Sequence, residues 1–174
     1  VEKVLLLHSS SDGQTIKIMR HIEKTLGEGY QCELADLNQL PAVSFEQYDR
    51  ILIGASIRYG HLNKKLYQFI SQNLPALEQH KVGFFCVNLT ARKEGKNTPE
   101  TSAYMKKFRQ KSPWQPGLQA VFAGALRYPR YKWFDRVMIQ FIMRITGGET
   151  DTSKEVEYTD WQKVEAFAAQ FKAY

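Results

Sequence analysis

The stretch Ser9-Ser10-Ser11-Asp12-Gly13-Gln14-Thr15 gathers hydroxyls, backbone N–H groups and one glycine within a few residues. It follows the apolar run Val4-Leu5-Leu6-Leu7 and leads into Ile16, Met19, Ile22 and Leu26 at helical spacing, so it reads as a loop ending on a helix N-terminus. A helix N-terminus offers unpaired N–H donors and partial positive charge, and Ser and Thr hydroxyls complete a shell around phosphate oxygens. The chemistry on offer is a phosphate cradle. No Lys or Arg lies between His8 and Lys17, and neither the Gly-Lys-Ser/Thr of a P-loop nor the spaced glycines of a dinucleotide fingerprint is present. The same residue types also cap ordinary helices. Two more loops share the cradle's setting, each following an apolar run. Gly54-Ala55-Ser56-Ile57-Arg58-Tyr59-Gly60 carries an aromatic able to stack on a flat ring, and Asn88-Leu89-Thr90-Ala91-Arg92-Lys93 adds polar groups and two cations. Each alone would serve as a solvated turn.

The elements that must position these loops can be read in order. Strands are expected at Lys3–His8, Tyr30–Asp36, Arg50–Ala55, Val82–Asn88 and Leu118–Leu126. Between them, Ser44 with Gln47 predicts a capped helical turn, and Leu62, Leu66, Phe69, Ile70 and Leu74 predict a helix ending before Pro75. Thr98-Pro99-Glu100 predicts the start of a helix running to about Lys111. Thr159 with Gln162 predicts the capping box of a final helix whose inner face is Trp161, Val164, Phe167, Ala168 and Phe171. Strands that are apolar throughout and alternate with helices imply a parallel sheet covered on both faces. Five of them suggest an α/β, flavodoxin-like three-layer sandwich of strand order 2-1-3-4-5, a single domain over residues 1–174. In that topology ligands sit beyond the carboxyl ends of the strands, where all three loops fall.

Residues 127–158 are too long and too apolar for a plain connection, and are expected to be an insertion before the last helix. Arg127, Arg130, Lys132 and Arg136 are interleaved there with Tyr128, Tyr131, Trp133 and Phe134, followed by Val137, Met138, Ile139, Phe141, Ile142 and Met143. Cations beside interfacial aromatics suit an anionic bilayer surface or a ligand with carboxylates on one edge. The apolar excess needs a cover, which could be the protein's own sheet, a partner subunit or lipid. The stretch Trp133 to Ile145 is too short and too often interrupted by charge to cross a membrane.

Composition narrows the classes further. The formal charge is +6, but residues 88–111 carry seven Lys/Arg against two Glu and residues 127–144 carry five Lys/Arg against one Asp, which leaves the rest of the chain net acidic. A nucleic-acid binder with charge spread over its surface would look different, and no nucleic acid is expected as a partner. Cys32 and Cys86 have no metal or redox spacing, nor do His8, His21, His61 and His80 form a metal motif. The amino-terminal residues lack the pattern of a secretory signal, so a cytoplasmic location is expected.

The cradle resembles the phosphate loop of flavodoxins, with Ser10, Gly13 and Thr15 matching and Asp12 departing. More specifically, the strings Asp12–Thr15, Ile53–His61, Val87–Lys93, Ala123–Tyr131 and Gly147–Thr152 resemble the flavodoxin-like, quinone-dependent protoporphyrinogen oxidases of bacteria. That resemblance implies FMN held by Ser9 to Thr15, Ala55 to Gly60 and Asn88 to Lys93. It also implies oxidation of protoporphyrinogen IX to protoporphyrin IX in haem synthesis, with electrons passed to menaquinone or ubiquinone. The place it implies is the cytoplasmic side of the inner membrane, peripherally bound, with a homo-oligomer as a further possibility. No catalytic side chain is expected, because a flavin accepts hydride at N5 through its own electronics. Arg58, Arg92 and Lys93 would favour the anionic reduced flavin and attract propionates. Arg127, Tyr128, Arg130, Tyr131, Lys132, Trp133 and Arg136 would meet substrate or membrane. The competing readings are a flavodoxin-type electron carrier, a general quinone reductase, and a non-enzymatic membrane or nucleic-acid module. A carrier should be acidic around its flavin, whereas these strand ends are basic.

Overall fold

The computed structural model describes residues 1–10, 13–40 and 42–174. Five strands, β1 (Glu2–Ser9), β2 (Tyr30–Asp36), β3 (Arg50–Ser56), β4 (Val82–Asn88) and β5 (Leu118–Ala123), form one parallel sheet of order β2-β1-β3-β4-β5. Successive residues face opposite layers, so one apolar run builds two cores. Leu5, Leu7, Ile51, Ile53, Phe84 and Cys86 face α2 (Lys64–Gln72), α3 (Leu74–Gln79) and α4 (Ala103–Lys111) through Leu66, Ile70, Leu77, Met105 and Phe108. Val4, Leu6, Leu52, Phe85 and Val87 face α1 (Gly13–Leu26) and α6 (Trp161–Ala173) through Ile18, Met19, Ile22, Val164, Phe167 and Phe171. Gly54 is required by this packing, since a Cβ there would lie 2.3 Å from Phe85 Cζ and 2.8 Å from Met19 Cε.

Several boundaries differ from expectation for identifiable reasons. Pro75 does not simply end a helix; it occupies the first turn of α3, where its missing N–H has no partner to lose. Thr98 to Thr101 close a turn on themselves, with the two threonine hydroxyls 2.7 Å apart, and α4 begins later, capped by Ser102 Oγ accepting from Met105 N. The turn at Phe45–Gln47 is a 3-10 turn with no cap bond from Ser44. Asp160, not Thr159, caps α6, accepting from Gln162 N and Lys163 N. Thr159 points inward and donates to the Ala123 carbonyl at 2.6 Å.

The expected fifth strand breaks at Gly124. Beyond it β6 (Ala125–Arg127) leaves the sheet and pairs antiparallel with β7 (Glu155–Glu157). These two strands are the neck of the insertion. Its body is a 3-10 turn at Tyr128–Arg130 and the helix α5 (Trp133–Ile145), resting on a small third core of Leu126, Tyr128 and Met143.

Candidate functional site

Parallel register brings Ser9 beside Ala55, Ser56 beside Val87 and Asn88 beside Ala123, so the three sequence-predicted loops emerge along one sheet edge. Ser10 Oγ and Ser56 Oγ lie 2.6 Å apart and join the first two loops; Ile57 N donates to the Val87 carbonyl at 2.9 Å and joins the second to the third. Ser11 and Asp12 lie outside the described residues.

In the first loop the hydroxyls of Ser9 and Thr15 are buried, and neither has a hydrogen-bond partner among the described residues. Burial without a partner costs a hydroxyl about 1–3 kcal/mol, so two such groups at one helix start call for an acceptor or donor from outside the protein. A Cβ built on Gly13 meets no atom within 4 Å, so the approach to the first turn of α1 is open. The residues present therefore fit a phosphate. Gln14 has a different role: its Nε2 donates to Thr159 Oγ1 at 2.8 Å and its Oε1 accepts from Arg127 at 2.5 Å. It ties the cradle to the neck of the insertion.

The second loop is a tight hairpin in which Arg58 and His61 exchange backbone hydrogen bonds of 2.9 and 3.1 Å. Both central residues are left-handed, Tyr59 at φ +53° and Gly60 at φ +77°. This is the geometry of a type I′ turn, natural for Gly60 and strained for Tyr59. The turn holds the Tyr59 ring half exposed, with the Arg58 guanidinium 5.2 Å from its centroid. The Tyr59 hydroxyl donates to Asp135 in the first turn of α5, and Arg58 approaches the same carboxylate at 3.4 Å.

The third loop is built on Asn88, whose Oδ1 accepts from Thr90 Oγ1 at 2.8 Å and from Ala91 N at 2.9 Å. Arg92 turns away from the loop surface. Its guanidinium donates to the Leu89 carbonyl at 2.8 Å and to Thr146 Oγ1 at 2.9 Å, just past the end of α5, and lies 5.8 Å from the Tyr158 ring centroid. Lys93 forms no ion pair among the described residues. The insertion helix is thus fastened at both ends to loops of the site, by Asp135 to the second and by Thr146 to the third.

The residues expected to meet substrate or membrane divide into two groups. Arg127, Tyr128 and Tyr131 belong to the insertion's own framework: Arg127 bonds Gln14, Tyr128 is fully buried and donates to the Glu149 carbonyl, and Tyr131 packs edge-on against Tyr128. Burial pushes the Tyr128 phenol up to about 12, so it remains a donor. Arg130 forms a two-pronged pair with Glu155 at 2.6 and 3.3 Å. Lys132, Trp133 and Arg136 lie on the outer side of α5 and its start, with Trp133 69% exposed. Phe134, Val137, Met138, Phe141, Ile142 and Ile145 are exposed along the same helix, and Met143 alone in it is buried. The protein's own sheet does not cover this face.

Sequence reasoning passed over Asp135, Thr146, Lys107 and Lys111. Asp135 had a signal, as the lone carboxylate of a cationic and apolar segment. The others make their contacts only through the fold. Among the remaining histidines, His8 donates to the Ser10 carbonyl, His21 meets Glu165, and His80 donates to the Ala76 carbonyl. Both cysteines are free, and burial raises Cys32 to about 11 and Cys86 to about 12.

Comparison with known proteins gives this geometry a context. Residues 5–153 match the flavodoxin domain. The chain is 47% identical over 169 residues to the protoporphyrinogen IX dehydrogenase (quinone) of Escherichia coli K12, covering 97% of this chain and 93% of that protein. It is also 47% identical over 173 residues to the protein of that name from Leishmania major, covering 98% of this chain and 75% of that protein. Of solved structures, a flavodoxin from Streptococcus pneumoniae TIGR4 superposes with a TM-score of 0.53 at 13% identity, covering 98% of both chains. Oxidised flavodoxin 2 from Bacillus cereus superposes at 0.51 and 19% identity, covering 97% of both. At such identities the likeness is one of fold.

Proposed function

We propose, for a chain that belongs to the flavodoxin-domain family and within it to the protoporphyrinogen IX dehydrogenases (quinone), that it binds FMN and oxidises protoporphyrinogen IX at the expense of a quinone. The observation that carries the cofactor reading is the pair of buried hydroxyls of Ser9, at the end of β1, and Thr15, in the first turn of α1, which have no partner among the described residues. They match a single terminal phosphate, and no second phosphate-binding motif is present in the sequence, which favours FMN over a dinucleotide flavin.

The overall reaction removes six hydrogens from the porphyrinogen, and three quinones each take two electrons and two protons to become quinols. A bound flavin would supply the two-electron chemistry that links the two half-reactions. The chain's own residues bind, orient and exclude. Ser9, Ser10, Thr15 and the first turn of α1 would hold the phosphate. The hairpin Arg58–His61 would set one edge of the ring site, with the Tyr59 ring available for stacking, and the loop around Asn88 would set another. Arg92 would act on the site through the insertion it fastens rather than as a free cation. Hydride acceptance would rest on the bound flavin's own electronics, so in this reading no side chain of the protein is assigned a catalytic role.

We further propose that α5 seats on the surface of an anionic bilayer, which makes the protein peripheral to the membrane. Trp133, Phe141 and Ile145 are each 60% exposed or more, and Lys132, Arg136 and Arg144 at the ends and margin of that face form no ion pair among the described residues. Cations around an apolar face complement acidic headgroups, and a lipid-soluble quinone is met in the same place. No described helix is long and apolar enough to cross a membrane. The insertion is an excursion of one flavodoxin-like domain in this reading.

HPLC of flavin released from the purified protein tests the cofactor assignment. FMN at about one equivalent per chain is expected; recovery of FAD, or an apoprotein that fails to bind added FMN, contradicts it.

A further inference from the structure

Beside the Arg58–His61 hairpin, α4 places Lys107 and Lys111 on one face, a single turn apart, over a shallow hollow open to solvent. Ile57, Leu62, Tyr67 and Tyr104 give that hollow apolar and aromatic walls. Lys107 Nζ donates to His61 Nδ1 at 3.0 Å, so the proton of that imidazole sits on Nε2, which is left as a further donor. Lys111 lies 4.8 Å from the Tyr67 ring centroid. Neither lysine meets a carboxylate among the described residues. Like charges four residues apart weaken a helix, and among the described residues what offsets them is the Tyr67 ring beside Lys111 and the carboxyl end of α4, not a counter-charge. Burial raises the phenols of Tyr67 and Tyr104, which stay neutral beside the cations.

Two elements, α4 and the hairpin, thus bring donors and positive charge, with no carboxylate paired to the lysines among the described residues, to a hollow adjoining the hairpin at the ring site. We propose that Lys107, Lys111 and His61 form a carboxylate subsite that receives a propionate arm of the substrate. The hollow is too shallow to enclose a tetrapyrrole or its arm, so the carboxylate would rest at its rim between the lysines, with the macrocycle outside, toward Tyr59. Two ammonium groups and an imidazole N–H satisfy a carboxylate's lone pairs, and the apolar walls accept the methylenes that carry it. This inference rests on the substrate reading above.

The double variant Lys107→Gln, Lys111→Gln tests it in the holoenzyme, with protoporphyrinogen IX and its dimethyl ester as substrates. The KM for the free acid should rise roughly tenfold with kcat nearly unchanged, as expected for loss of charge-assisted hydrogen bonds, while the ester should show no change. Lys24→Gln with Lys172→Gln removes the same net charge from the helix ends at the opposite edge, and should leave both substrates as in the wild type. In parallel, titration of the apoprotein with protoporphyrin IX and its dimethyl ester should show the same roughly tenfold loss, for the acid alone. Wild-type KM and porphyrin affinity in the variant, or equal losses for acid and ester, would overturn the subsite. Failure of the wild type to oxidise protoporphyrinogen would instead overturn the function, and the apoprotein titration would still decide the subsite.

Discussion

The hydroxyls of Ser9 and Thr15 are two of the three buried side-chain polar atoms without a partner among the described residues, and both belong to the strand-to-helix turn of one loop. Their burial is a cost to the folded protein that a bound phosphate would remove. That gives Thr15→Val two effects of opposite sign. The methyl group keeps the shape while deleting an unmet hydroxyl, so the apoprotein should melt no lower than the wild type. FMN affinity should fall by one to two decades, since an acceptor left unmet costs about 1–3 kcal/mol. Fluorescence titration and thermal melting check the two arms, and unchanged FMN affinity would reduce the loop to a helix cap. At this scale the sequence was informative where function resides in a contiguous string, as from Ser9 to Thr15. It was silent where function depends on meetings across the fold: Tyr59 and Asp135 are 76 residues apart, and Lys107 and His61 are 46 apart. Arg92 illustrates the converse. It sits in the expected loop, yet its guanidinium is taken up by Leu89 and Thr146, because a carbonyl and a hydroxyl lie within its reach.

Among the elements, β1, β3 and β4 were legible because burial on both faces demands nearly unbroken apolar runs, whereas β2 at the sheet edge is mixed and only half-buried. The expected helix starts at Thr98 and Thr159 were displaced because a cap signal names a residue able to bond a backbone N–H, not the residue that will do so. Thr98 found Thr101, and Thr159 found the Ala123 carbonyl. The most consequential element is α5. Asp135 and Thr146 moor it to two loops of the site, Ile139 and Met143 turn inward, and the opposite face is apolar and exposed. A helix moored to the site in this way would hold the ring edge close to whatever surface it docks on. Each interfacial cation contributes about 1 kcal/mol of attraction to anionic lipid. Replacing Lys132, Arg136 and Arg144 together by Gln should therefore weaken binding to phosphatidylserine-containing vesicles by roughly two decades, with the wild-type interaction itself weakening as salt is raised. Arg130 is left out because Glu155 already neutralises it. Equal vesicle binding by variant and wild type, or a lipid-free dimer that dissociates on Phe141→Ser, would assign this face to something other than lipid.

For the molecule as a whole, the open cradle, the paired lysines of α4 and the apolar helix flank the same set of loops. The parallel sheet directs every strand's carboxyl end there, and the insertion returns to it through the β6–β7 neck. An electron carrier needs only an exposed ring edge and a surface for its protein partners. The basic hollow and the apolar helix flanking the same loops are better suited to an anionic, amphipathic substrate and a lipid-soluble acceptor. The direct test of that assignment is anaerobic turnover of protoporphyrinogen IX by the FMN-loaded protein with menaquinone and ubiquinone analogues. The account predicts quinone-dependent formation of protoporphyrin IX with about three quinols produced per porphyrin, as the hydrogen balance requires. A loaded protein that exchanges electrons with quinones but forms no porphyrin beyond the uncatalysed background would contradict it.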